Sequence, residues 1–133
     1  MKGIYVLIIA IDSKISVDTG ALGNLNFEKG LYAYVGSGQN NLEERVKRHF
    51  RTEKAKFWHI DYLLDNPCVK VLKVFYKRAG RPKECRIAKE LGKKGFPIRG
   101  FGSSDCRCES HLFKVGDYEF LREHMRETVA GPA

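Results

Sequence analysis

Two side chains suited to phosphate chemistry lie four residues apart in a predicted helix. Arg45 carries a permanent, planar cation that can contact two phosphate oxygens at once. His49 follows one helical turn later, so it projects from the same face and could orient or deprotonate a water molecule. Phosphodiester hydrolysis needs an activated water, a counter-charge and usually a divalent metal ion, and this pair supplies the first two.

Glu84 is a candidate ligand for such a metal ion. It lies on the same predicted helical face as Ile87, Ala88 and Leu91. A carboxylate at the end of an apolar stripe must point towards the core, which is costly unless it meets a cation. The alternative is an ordinary first-turn glutamate, stabilised by the helix dipole. Glu90 falls instead on the solvated face of this helix.

The hydrophobic pattern places these residues on a mixed set of elements. It predicts strands at 4–11, 31–35, 68–76 and 110–115, and helices from 41, over 57–64, over 82–91 and from 117. Asn41 and Glu44 form a capping-box pattern, and Gly92 is expected to end the third helix. The turn-rich segment 13–30 indicates a loop or hairpin between the first two strands, and the adjacent apolar pair at 71–72 indicates a bulge or a strand covered on both faces. Together these elements predict an α+β fold, with a small, mostly antiparallel sheet flanked by helices.

Composition limits the class of protein. The chain has 133 residues, 24 Lys and Arg against 16 Asp and Glu, and a net charge of +8, so we expect a single domain over 1–133 with an affinity for polyanions. The apolar run at 4–11 is too short to cross a membrane and has no cleavage site, so no membrane partner is expected. A chain of this size needs no disulfides, which predicts a cytoplasmic protein with four reduced cysteines.

Two tripeptides and a helix motif carry a family resemblance. The first strand opens on Gly3-Ile4-Tyr5, the second ends on Tyr34-Val35-Gly36, and a helix with the pattern Asn41-Leu42-x-x-Arg45-x-x-x-His49 follows. This ordered set resembles the GIY-YIG nuclease superfamily. The segments 30–37, 58–64 and 100–113 look like one poorly characterised branch of it, found free-standing or fused to endonuclease III. The stretch 13–29 is longer than the tight hairpin typical of the superfamily's homing and repair nucleases.

The resemblance implies a metal-dependent endonuclease that hydrolyses phosphodiester bonds in DNA, with RNA as the alternative substrate. By the same resemblance Arg45 is the catalytic arginine, Tyr5 the general base with Tyr34 beside it, and Glu84 the ligand of Mg²⁺ or Mn²⁺. It also implies DNA repair or processing of structured DNA, with a functional link to a base-excision repair enzyme. From composition alone, both tyrosines would be half-buried strand aromatics, and a phenol with a pKa of about 10 needs a nearby cation to ionise. The alternative function is a non-catalytic nucleic-acid-binding module on the same scaffold.

Basic residues crowd the first helix and its exit. They are candidates for contact with the nucleic-acid backbone, alongside the interpretation that they form a solvated face: Lys47, Arg48, Arg51, Lys54 and Lys56. The adjacent Trp58 and His59 are left open, either beside the active face or in helix packing.

A cysteine-rich loop is the remaining candidate site. Cys106, Cys108 and His111 could bind zinc, with Cys85 joining from the neighbouring helix. Structural zinc sites usually separate paired cysteines by two to four residues, and no second pair follows. We therefore expect free thiols in a packed loop, with zinc as the less favoured alternative.

Overall fold

A computed structural model describes residues 2–51, 55–56, 58–103 and 106–129. Its strands are β1 Gly3–Ile11, β2 Ile15–Asp18, β3 Asn24–Phe27, β4 Gly30–Gly38, β5 Val69–Lys77, β6 Phe96–Pro97, β7 Leu112–Val115 and β8 Arg126–Val129. Its α-helices are α1 Leu42–His49, α2 His59–Leu64, α3 Pro82–Lys94 and α4 Glu119–His124. The part of the chain that the structure describes contains no helix long and apolar enough to cross a bilayer.

The central sheet has six antiparallel strands in the order β6-β7-β4-β1-β5-β8. Strands β1 and β4 pair along their full length, from Gly3 opposite Gly38 to Ile11 opposite Gly30. The connection between them folds back as the separate hairpin β2–β3. The fold class predicted from the sequence, α+β with a mostly antiparallel sheet, is confirmed.

Strand β1 is buried on both faces because helices cover both sides of the sheet. Tyr5, Leu7 and Ile9 belong to one apolar cluster, together with residues of α1, α2 and the β2–β3 hairpin. Ile4 and Val6 belong to a second cluster, formed with α3 and α4. This arrangement explains why β1 is a near-continuous apolar run instead of an alternating one.

Helix α1 begins at the end of β4 because Asn41 caps it. The Asn41 side chain accepts a hydrogen bond from the Glu44 backbone N–H at 3.1 Å, as the capping-box pattern predicts. Leu42 is buried and anchors the first turn against the core. His49 was predicted on a polar stripe, yet only 3% of its surface is exposed. The last turn of α1 therefore delivers an imidazole into the interior.

Several details of the fold differ from the sequence-based expectations. Helix α3 continues through Gly92 to Lys94 and ends where the Gly95 N–H binds the Leu91 carbonyl, so the prediction that Gly92 ends it was wrong. Gly92 lies within the helix, and a Cβ there would make only ordinary van der Waals contact with the Phe113 ring, at 3.5 Å. The bulge in β5 is confirmed, since the register of β1 and β5 shifts between Ile8 and Ile9. Strands β6 and β8 were not predicted.

The ring of Tyr5 fills the space that a side chain at position 36 would need, so this position requires a glycine. The two residues face each other across β1 and β4. A Cβ built on Gly36 would lie 2.8 Å from Tyr5 Cε1 and closer still to Cζ and the hydroxyl. The glycine therefore fixes where the phenol can lie.

We expect Gly36→Ala to lower the free energy of unfolding by about 1–3 kcal/mol, because the Tyr5 ring must move out of a packed position. Chemical denaturation measures this change. Gly116→Ala is the matched control, since a Cβ there meets nothing within 4 Å, and its effect should stay within about 0.5 kcal/mol. Equal stability of the two variants would contradict this account of Gly36.

Candidate active site

A cleft of about 690 Å³ opens at the end of the β1–β4 pair, beside α1. Four of the residues proposed from the sequence for catalysis or metal binding line it: Tyr5, Tyr34, Arg45 and Glu84. The rest of the lining is mostly polar and comes from the end of β4, the β4–α1 connection, α1 and its exit, the start of α2, the residue before α3, and Gly102. The sequence motifs therefore converge on one surface, although they are spread over nearly eighty residues of the chain.

Tyr5, Tyr34 and His49 form one aromatic group at the base of the cleft. The Tyr5 hydroxyl lies 2.6 Å from His49 Nε2, and the rings of the two tyrosines are 6.5 Å apart. Burial raises the pKa of Tyr5 above its usual range, while the nearby Arg45 guanidinium lowers it through its charge and a hydrogen bond. Burial is also the main cause of the raised pKa of Tyr34. Both phenols therefore carry their protons at neutral pH.

Arg45 lies at the mouth of the cleft. Its guanidinium carbon is 4.2 Å from the ring centroid of Trp58, within the range of a cation–π contact. Among the residues that the structure describes, no carboxylate forms an ion pair with Arg45. This cation is therefore positioned to meet an anion that enters the cleft.

Glu84 lies in the first turn of α3, and its side chain is only 13% exposed. Its Oε2 lies 3.3 Å from Nδ1 of His111, which is itself buried. The apolar stripe predicted for this helix is confirmed, since Ile87, Ala88 and Leu91 are all buried. Because this face of α3 packs against the core, the Glu84 carboxylate lies at the edge of the cleft.

Arg48 lines the cleft, but its guanidinium also binds a protein carboxylate. Nη1 and Nη2 donate to the two oxygens of Asp61 at 2.8 and 3.0 Å, and Asp61 is fully buried. The same carboxylate accepts the Trp58 backbone N–H at 3.0 Å, and the Arg48 guanidinium lies 4.2 Å from the Trp58 ring. Arg48 therefore ties α1 to the start of α2.

The other basic residues predicted to contact nucleic acid lie on the surface around this region. Lys47 and Arg51 pair with Glu44 at 4.0 and 3.2 Å, and Lys56 pairs with Asp65 at 3.3 Å. Arg51 lines the cleft, and Lys47 and Lys56 do not. Lys54 lies outside the described residues.

His59 and Arg81 also line the cleft, and neither was assigned to the site from the sequence. His59 Nδ1 accepts the backbone N–H of Gly102 at 2.9 Å, so the neutral imidazole carries its proton on Nε2. Gly102 adopts φ +71°, and a Cβ there would lie 3.1 Å from Tyr34 Cε1. The sequence left open whether Trp58 and His59 lie beside the candidate active face or in helix packing, and both residues line the cleft.

A second group of reactive side chains lies behind Glu84. Ligand atoms of Cys85, Cys106, Cys108 and His111 all lie within 4.8 Å of one another, so these residues could hold a metal ion. All four cysteines of the chain have free thiols. Burial and the neighbouring thiols raise the pKa of Cys108, and burial raises that of Cys85.

The fold and the cleft define a small α+β domain with tyrosines, an arginine and a carboxylate around one polar opening. Residues 4–131 match the family described as the domain of unknown function DUF123, and the chain belongs to that family. The comparisons with curated proteins and with solved structures returned no match.

We expect Arg48→Ala and Arg51→Ala to differ sharply, although both arginines lie on α1 and pair with a carboxylate. Removing Arg48 leaves the buried Asp61 without its main counter-charge, which costs about 3–5 kcal/mol of unfolding free energy. The Arg51 pair is 55% exposed on the arginine side, so its loss costs about 0–1 kcal/mol. Denaturation followed by fluorescence of Trp58, the single tryptophan, measures both effects. Equal losses would refute this assignment of Arg48.

Burial lowers the pKa of His59 in the folded state. Because the unfolded chain then binds the proton more tightly, stability falls as the pH drops below about 6.5, the ordinary histidine value. His59→Asn keeps an acceptor for the Gly102 N–H but cannot titrate, so we expect less loss of stability between about pH 7 and pH 5 than in wild type. Denaturation curves across this range test the expectation, and parallel pH profiles would contradict it.

Proposed function

We propose that this chain is a metal-dependent endonuclease of the GIY-YIG type that hydrolyses phosphodiester bonds in DNA. One observation carries the proposal: Tyr5, Tyr34, Arg45 and Glu84 line a single cleft, and His49 contacts Tyr5 from below. These residues were selected from sequence motifs alone, so their convergence on one surface supports a shared task. A set of unrelated structural residues would have no reason to converge there.

The contact between Tyr5 and His49 supports a proton relay. A neutral phenol is a poor base, and burial keeps Tyr5 neutral. If a water molecule gives its proton to the Tyr5 oxygen while Tyr5 passes its own to His49 Nε2, no free phenolate has to form. The water oxygen then attacks phosphorus, the bond to the leaving oxygen breaks, and that oxygen takes a proton from solvent.

Arg45 supplies the counter-charge for this reaction. Its guanidinium can contact two non-bridging oxygens of the phosphate as negative charge develops on them. The Trp58 ring beneath it limits the directions in which the side chain can point. This geometry favours a cation that is held ready for the phosphate, which costs less than ordering a flexible side chain during the reaction.

Glu84 fits the role of ligand to a divalent cation. Its Oε2 faces His111, whereas Oε1 makes no hydrogen bond with the described residues and the side chain borders the cleft. Mg²⁺ and Mn²⁺ are commonly held by one or two carboxylates, with waters and phosphate oxygens completing the shell. Such an ion would polarise the phosphate and stabilise the leaving oxygen.

The charge around the cleft supports DNA as the substrate, with RNA as the other polyanion to test. Arg45, Arg48, Arg51 and Arg81 all line it, against the carboxylates Glu44 and Glu84, and of these arginines Arg48 is paired with Asp61 and Arg51 with Glu44. Contact with a phosphate backbone through such residues makes binding weaken as salt rises.

The experiment is a cleavage screen over duplex, nicked, branched and single-stranded DNA and matching RNA, with Mg²⁺ or Mn²⁺. We expect cleavage that EDTA abolishes, and a loss of about a hundredfold to a thousandfold in rate for Arg45→Ala or Glu84→Gln. Arg86→Ala and Glu90→Gln are the matched controls, because both side chains are exposed on α3 and neither lines the cleft. Circular dichroism establishes that each variant is folded.

Two results would reject the enzyme. One is an absence of cleavage of every substrate with either metal, and the other is cleavage by Arg45→Ala at the wild-type rate. Salt-sensitive binding of DNA without cleavage would favour the non-catalytic binding module instead.

A further inference from the structure

The cluster behind Glu84 has the composition of a closed metal site. Cys85 comes from the first turn of α3, Cys106 and Cys108 from the loop that precedes β7, and His111 from the residue before that strand. Three thiolates and one imidazole form one of the standard ligand sets of structural zinc. Hard cations such as Mg²⁺ prefer oxygen ligands and would not select these residues.

The distances fit a tetrahedral ion. Zinc bonds of about 2.3 Å to sulfur and about 2.0–2.1 Å to nitrogen place neighbouring ligand atoms about 3.5–3.8 Å apart. Cys106 Sγ and His111 Nε2 are 3.4 Å apart, and the whole set lies within 4.8 Å. Small side-chain rotations would therefore bring all four atoms onto a single ion.

The two nitrogens of His111 have different partners. Nε2 faces the Cys106 thiol, while Nδ1 lies 3.3 Å from Glu84 Oε2. A histidine that binds a metal commonly donates its other N–H to a carboxylate, which fixes the tautomer and the ring orientation. The His111 side chain is 3% exposed, so this orientation is set within the protein interior.

We propose that Cys85, Cys106, Cys108 and His111 bind one structural zinc ion, and that Glu84 is the carboxylate that orients His111 on it. The ion ties the start of α3 to the loop before β7, two segments about twenty residues apart in the sequence. All four ligand positions are filled by protein, so the site has a structural role and leaves no position for substrate.

A zinc ion in this cluster would also affect the residues that line the cleft. The loop that it holds includes Gly102, whose N–H binds His59, and Glu84 borders the cleft while contacting His111. A bound zinc ion would therefore hold the Glu84 carboxylate in place. This consequence, unlike the zinc site itself, rests on the proposed function.

The first test is metal content. The protein is purified under reducing conditions, without a histidine tag, and analysed by inductively coupled plasma mass spectrometry. We expect one zinc ion per chain, and expect Co²⁺ in its place to give the intense visible bands of a tetrahedral site and thiolate charge-transfer absorption. An absence of zinc combined with no such Co²⁺ spectrum would overturn the proposal, as would a disulfide among the three clustered cysteines.

Variants test the ligands. Cys106→Ser and Cys108→Ser should lose the thiolate absorption in part and bind zinc at least tenfold more weakly, whereas Cys68→Ser should match wild type. Cys68 is the chain's remaining cysteine and lies outside the cluster. If a ligand variant fails to fold, Co²⁺ titration of the wild-type chain after zinc removal gives the same answer. Wild-type zinc affinity in both ligand variants would contradict the assignment.

Two substitutions of Glu84 test the zinc site and the proposed nuclease independently. Glu84→Ala removes the acceptor for His111 and should weaken zinc binding about tenfold to hundredfold. Glu84→Gln keeps an acceptor oxygen, so its zinc affinity should stay close to wild type although cleavage is lost. Equal zinc affinity for wild type and Glu84→Ala would overturn the positioning role. Zinc content is measured without any substrate, so failure of the nuclease proposal would leave this result intact.

Discussion

The contact between Tyr5 and Gly36 is the constraint on which the site depends. Because the Tyr5 ring lies across Gly36, its hydroxyl, near the start of β1, can reach His49 on α1. That reach also requires α1 to begin directly after β4, which the Asn41 cap and the buried Leu42 provide. The central strand, its neighbour and the first helix therefore pack together, and their packing brings the aromatic group together at the base of the cleft.

Electrostatics divides the basic residues near this unit into two kinds. Arg48 binds a buried carboxylate and holds the start of α2, so most of its charge is compensated within the protein. Arg45 has the same side chain one turn earlier on the helix, yet among the described residues it meets an indole ring and no carboxylate. The net charge of the chain does not reveal this difference between Arg45 and Arg48, because the difference depends on the partner that each guanidinium contacts. The surplus of cations therefore predicts no more than an affinity for polyanions, and the contacts of each guanidinium decide whether its charge is already compensated within the protein.

Local signals predicted the elements better than the contacts between them. The Asn41 cap, the buried face of α3 and the bulge in β5 all arise from patterns within one segment, and each is confirmed. The end of α3 was mispredicted because the glycine that the fold requires is Gly95, where a Cβ would clash with the Lys114 carbonyl oxygen on β7. The position of His59 likewise depends on the loop before β7, which pairs with β4, whereas the grouping of Cys85 with Cys106, Cys108 and His111 was named from the sequence as the less favoured alternative. Spacing within a segment does not encode such contacts.

Glu84 illustrates why a single position can serve two sites. The first turn of α3 lies between the cleft and the thiol cluster, so one carboxylate borders both. Its two oxygens allow a division of roles, one towards His111 and one towards the cleft, without a second acidic residue. A partly buried carboxylate is costly unless it is compensated on each side, and a cation in the cleft together with an oriented imidazole would provide that compensation. The helix face that buries Ile87 and Leu91 sets this position, so packing in the second core determines where the charge in the cleft lies.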